Sequence, residues 1–100
     1  MYALAMESFT ETLELVRLGN HVRIELEDGE AFEGPASPID YMPGDRFRLE
    51  IEPKHERIRR CEVSAVYVDG SWTPPEVRHY SLGDEDWIVA GEAREMEITR

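Results

Sequence analysis

The sequence predicts a mainly β domain with one N-terminal α-helix, its strands wound into a small bent antiparallel sheet or barrel. Three observations carry this expectation. Apolar residues recur at helical spacing only near the start of the chain, at Phe9, Leu13 and Val16. After Gly19 the period changes to two, as in half-buried strands. Tight-turn pairs such as Asp28-Gly29 and Asp69-Gly70 then punctuate the chain. Short strands with frequent turns suit a closed or strongly bent sheet. A helix packed on an open antiparallel sheet uses the same pattern and is the alternative. One hundred residues make a single domain, 1–100.

The helix is expected over residues 9–18. Ser8-Phe9-Thr10-Glu11 reads as a capping box, Leu15 and Leu18 widen the apolar stripe, and Gly19 supplies a left-handed stop. The first strand, 21–27, alternates Val22, Ile24 and Leu26 with Arg23, Glu25 and Glu27. Asp28-Gly29 turns the chain into a second strand, 30–34, which Gly34-Pro35-Ala36-Ser37-Pro38 breaks or bends. Met42-Pro43-Gly44-Asp45 is a further turn before a strand over 46–52, with Phe47, Leu49 and Ile51 facing in. Pro53-Lys54-His55-Glu56 reads as a four-residue turn into the strand 57–68.

That strand has a parity problem, because pairing Ile58 inward would also bury Arg60 and Glu62. A bulge at Arg59-Arg60 returns Cys61, Val63, Ala65 and Tyr67 to the core. Thr73-Pro74-Pro75 interrupts ladder pairing after Asp69-Gly70. Strands over 77–82 and 87–99 flank the turn Gly83-Asp84-Glu85-Asp86 and close the chain.

Twenty-two acidic residues face Lys54 and ten arginines, a formal charge of −11. An acidic, lysine-poor surface suits a cytoplasmic protein of a salt-loving microbe, where screening removes self-repulsion. The imbalance also disfavours a phosphate-backbone ligand, which needs clustered Lys and Arg. The single cysteine excludes an internal disulfide, and no apolar run approaches membrane-spanning length. The start lacks the basic region of a secretory leader, so neither secretion nor membrane insertion is expected.

Leu18-Gly19-Asn20 through Asp28-Gly29-Glu30-Ala31-Phe32-Glu33-Gly34 resembles the first motif of the Sm-like family: helix, strand near a Gly, Asp-Gly, an aromatic and a second Gly. Ile39-Asp40-Tyr41-Met42 is similar to the hydrophobic-Asp-x-x-Met segment that follows, shortened by one. The resemblance covers residues 11–45. It implies a helix followed by a bent five-stranded barrel, ring assembly, and RNA contacts at Asn20, Asp40 and Met42. The second half departs from the family: Asp69-Gly70 stands where Arg-Gly belongs, and Pro43 stands where the family places Asn. SH3-like barrels share the same hairpin pattern.

His21, His55 and His79 match no local zinc spacing. Cys61 and His79 could pair as nucleophile and base, but a cysteine on such a strand is more often a small core residue. Gly83-Asp84-Glu85-Asp86 lacks the alternating acids of a calcium loop. Arg46, Arg48, Arg57, Arg59 and Arg60 are the basic concentration, a candidate anion or acidic-partner site. Cross-strand pairing of Glu52 with Arg57 and Glu50 with Arg59 accounts for most of it. Trp72, Tyr80 and Trp87 lie beside turns and are the candidate interface. No catalytic set, metal site or cofactor is expected. The functional expectation is a non-catalytic interaction or scaffold module with an unidentified protein partner, forming a homo-oligomer. A nucleic-acid binder of Sm-like type, adapted to high salt, is the alternative.

Overall fold

The computed structural model describes residues 2–83 and 85–99, with side chains from Phe9 onward apart from Pro38. Helix α1 spans Tyr2–Leu15, starting well before the expected residue 9. Ser8 therefore lies inside the helix rather than capping it. Ala3, Leu4, Ala5, Met6 and Glu7 are strong helix formers, and they extend the helix toward the N-terminus. Phe9, Leu13 and Val16 are buried as their spacing requires, but Leu15 and Leu18 are 68% and 73% exposed and add nothing to the stripe. The helix ends early because the chain turns. Arg17 Nη1 donates to the Glu14 and Val16 carbonyls, Asn20 Oδ1 accepts from Arg17 N at 2.7 Å, and Gly19 takes a positive φ.

Among the described residues seven strands follow: β1 (His21–Leu26), β2 (Ala31–Met42), β3 (Arg46–Ile51), β4 (Ile58–Val68), β5 (Ser71–Trp72), β6 (Glu76–Ser81) and β7 (Ile88–Thr99). Every pairing is antiparallel. The order β3-β2-β1-β7-β6-β4 returns on itself because β3 also pairs with β4. The sheet is therefore barrel-like, and the open-sheet alternative is not formed. Strand β5 is a two-residue addition to β4, set by Asp69-Gly70 with φ of 50° and 85° and stopped by the prolines that follow.

Two long strands turn the corners. The first half of β2 pairs with β1 and the second with β3, with a register shift between Ala36 and Ile39. The second strand runs past the expected residue 34 to Met42, and Gly34–Pro38 bends it rather than breaking it. Proline lacks an N–H, and at a corner where the strand changes partner that donor is dispensable. Strand β7 does the same, pairing with β6 over Ile88–Glu92 and with β1 from Ala93 onward. The expected bulge in β4 is present: Ile58 faces Ser81 and Arg60 faces Tyr80, leaving Arg59 unpaired. Cys61, Val63 and Ala65 are buried as a result, whereas Tyr67 is 40% exposed.

The core gathers inward rows from β1 (Val22, Ile24, Leu26), β3 (Phe47, Leu49, Ile51) and β4, with Val77 and Met96. Helix α1 seals it. Phe9 stacks on Phe47 with centroids 6.3 Å apart, and Thr12 Oγ1 donates to the Met96 carbonyl of β7. Gly34 marks a close crossing, since Glu52 N donates to Pro35 O and Lys54 N to Glu33 O on either side of it. A Cβ at Gly34 would stand 2.7 Å from the Glu52 carbonyl carbon and closer still to its oxygen. Gly34→Ala is therefore expected to cost about 1–3 kcal/mol, read as a lower urea midpoint with an unchanged slope.

Candidate functional site

The chemistry-bearing side chains concentrate on the outer face of β3, β4 and β6. Alternation sets them there, because residues between the inward Leu49, Ile51, Cys61, Val63 and Val77 must point out. Register then aligns two rows: Arg48, Ser64 and Glu76, and beside it Glu50, Glu62 and Arg78. Glu62 is 1% exposed although it faces outward. Its carboxylate accepts from Arg48 Nε and Arg78 Nη2, each at 2.5 Å. Arg48 also reaches Glu50 at 2.6 Å. Burial alone would lower the Arg48 guanidinium, but the Glu62 hydrogen bond and the charges of Glu62 and Glu50 outweigh it and push it up.

The expected pairing of Glu50 with Arg59 does not occur, because Glu50 stands opposite Glu62. The connection between β3 and β4 covers residues 52–57, longer than the expected four-residue turn. Its first half runs alongside β2 through Glu52 and Lys54, so the hairpin closes later. Two directly opposed glutamates repel, and Arg48, diagonal to Glu62, and Arg78, directly opposite it, offset the repulsion.

The five candidate anion-binding arginines do not form one cluster. Arg46 is held by Asp40 and Asp45 at 3.3 Å each, and Arg48 by Glu50 and Glu62. Arg60 donates to the Ser37 carbonyl, and Arg57 and Arg59 make no ion pair among the described residues. An open groove of about 540 Å³ crosses this face, with Asp40, Arg46 and Arg48 on one side, Ser64 at its floor and Pro74 and Glu76 on the other.

The Sm-like positions also separate. The Asn20 carbonyl accepts from Ala36 N, while Asp40 and Met42 lie farther along β2 opposite Arg48 and Arg46. The four residue steps from Ala36 to Asp40 span about 13 Å. Trp72 packs on Phe47 and Tyr67 with centroids 5.5 Å from each, closing one end of the core. Tyr80 and Trp87 form a separate pair at 5.9 Å, with the Arg78 guanidinium over the Trp87 ring. Asp84 lies outside the described residues.

The histidines do not converge. His21 approaches Glu33, while His55 Nδ1 accepts from Arg57 N and Ile58 N within its loop. Among the described residues no three His, Cys, Asp or Glu side chains group as metal ligands. His79 does stand directly opposite Cys61 across β4 and β6, a juxtaposition that only the register reveals. The thiol is fully buried, and burial first, then the charges of Glu62 and Glu30, pushes its pKa up to about 12. Such a group is a core thiol rather than a nucleophile. Between its ordinary value of 9.0 and about 12 the folded state holds a proton that the unfolded state has lost. Stability should therefore fall with rising pH across that window, by up to about 1.4 kcal/mol per unit. Thiol labelling of the native protein at neutral pH should be slow, and Cys61→Ala should make the alkaline slope shallower, leaving the part that Tyr41, also raised by burial, contributes.

Apolar side chains stand exposed at the end of β4, at Val66, Tyr67 and Val68, and on the β6–β7 hairpin. Leu82, Ile88 and Val89 are 77%, 47% and 59% exposed beside half-buried Tyr80 and Trp87. Among the described residues no helix is long and apolar enough to cross a membrane. No protein-family model matches the chain, and no curated protein or solved structure matches it.

Proposed function

We propose that this chain is a non-catalytic protein-interaction module of the scaffold type, suited to high salt by its acidic excess. The observation that carries the reading is apolar exposure on the β6–β7 hairpin, where Leu82, Ile88 and Val89 stand exposed, the last two on opposite faces of β7, in a chain of charge −11. Scattered surface aliphatics are ordinary, but three on one hairpin beside two aromatics make the kind of surface that partners cover. The nucleic-acid alternative draws less support, because the contacts of Arg46 and Arg48 are with acids of the chain itself.

Two selections run side by side in molar KCl test this reading: one from displayed peptides, one from a random RNA pool. Peptides that bind the wild type and lose binding to Val89→Lys support it. Enrichment of RNA alone, insensitive to Val89→Lys, contradicts it and revives the Sm-like alternative.

A further inference from the structure

Resting on that reading, we propose that the free edge of β7 at Ile88–Ala90 takes an extended, lysine- or arginine-bearing segment of a partner protein as an added antiparallel strand. Pairing explains why an edge exists there. Strand β7 bonds to β6 over Ile88–Glu92, while its ladder to β1 begins only at Ala93, where Leu26 is its partner. The Glu92 carbonyl takes the Glu27 amide as the last link to that side. Ile88, Val89 and Ala90 make no backbone hydrogen bond beyond the β6 ladder among the described residues. The corner that lets β7 change partner thus leaves a short row of unused donors and acceptors.

Side chains make the edge adhesive on both faces. Val89 shares the outward row of Arg78 and Glu62, and Ile88 shares the inward row of His79 and Cys61. Both are about half exposed, so an added strand finds an apolar contact above and below the sheet. Exposed edges are usually blunted by Lys, Pro or an inward charge. The stretch Trp87-Ile88-Val89-Ala90-Gly91 carries none of these. A β-bulge at Ala90, between the Arg78–Val89 and Val77–Gly91 pairs, is its one irregularity and leaves Ile88 and Val89 as the regular part of the edge.

Charge selects the occupant. Exposed Glu85 and Asp86 precede the edge, and exposed Glu92 follows it opposite Glu76. Arg78, the cation nearest Val89 in register, is taken up by Glu62 and by the Trp87 ring. A second copy fits poorly: antiparallel self-pairing centred on Val89 sets each Asp86 against Glu92 of the other molecule. A segment with apolar residues at alternate positions and basic residues between them meets the acids instead. Contact pairs at a partly desolvated rim keep part of their strength in salt, because screening acts chiefly on separated, exposed charges.

The test uses the full chain and three ten-residue probes: alternating valine and lysine, the same peptide with glutamate for lysine, and the lysine peptide with two central prolines. Intrinsic tryptophan fluorescence, to which Trp72 and Trp87 both contribute, and peptide anisotropy read the binding. The lysine peptide is expected to bind, at least about tenfold more tightly than the glutamate peptide at low salt, since several contact pairs change sign. The proline peptide keeps the charge but loses ladder donors, and it should lose at least about tenfold. Val89→Lys should abolish binding while leaving the circular dichroism unchanged. Glu85→Gln with Asp86→Asn should weaken it severalfold at low salt and by a smaller factor in molar KCl. Equal binding of lysine and proline peptides would overturn the strand proposal, leaving only electrostatic adhesion. No peptide binding, with a dimer by light scattering that Val89→Lys dissolves, would overturn the basic partner and leave the interaction module standing. A monomer that binds no peptide but carries RNA would remove both.

Discussion

Phe47→Ala is expected to lower stability by about 3–5 kcal/mol, a large part of the 5–15 kcal/mol that such a domain has in total. Phe47 is 1% exposed and touches three separate parts of the fold. Its ring stacks on Phe9 of α1, packs on Trp72 of β5, and stands opposite Ala65 of β4 in the ladder. Truncation therefore opens a cavity at the point where helix, sheet and the added β5 strand meet. The small Ala65 opposite gives little to collapse into the space. Urea unfolding should show the loss as a lower midpoint, and α1 should lose protection before the sheet does. A loss below about 1 kcal/mol would mean that the helix does not dock through this ring.

Arg48→Met with Arg78→Met is expected to cost about 3 kcal/mol, at the lower end of the range for orphaning a buried charge. The lower end applies because the two guanidinium side chains are 42% and 36% exposed, so water can reach the side they vacate. Glu62 itself is 1% exposed and opposite Glu50, so without the arginines it faces a like charge in place of two partners. The effect should be non-additive. Adding Glu62→Met to the pair should restore most of the loss, because an apolar row replaces a stranded carboxylate. Urea midpoints of the single, double and triple variants at one salt concentration measure this. A triple variant no more stable than the double would show that the network contributes packing rather than charge balance.

Much of the architecture was legible because periodicity is local. The alternation in β1 and β3, the turns at Asp28-Gly29 and Asp69-Gly70, and the Arg59 bulge all follow from parity within a few residues. What escaped were properties of pairing between distant segments. The prolines of β2 look like a strand end, yet they mark a corner at which the strand exchanges β1 for β3. The helix start was misplaced because Ser8 imitates a cap inside a run of helix formers. Ion pairs shifted partner because residues 52–54 leave the hairpin to run along β2, which moved Glu50 opposite Glu62. The β7 edge was hidden for the same reason: Ile88 and Val89 read as ordinary strand residues until the ladder shows what lies beside them.

The account rests on that edge, and amide hydrogen exchange with and without the valine–lysine peptide tests it most directly. New protection within Ile88–Ala90, confined to the amides that point away from β6, with tryptophan fluorescence changing in step, is the predicted result. Unchanged exchange at these amides, with protection appearing instead along the groove beside Arg46 and Arg48, would contradict it.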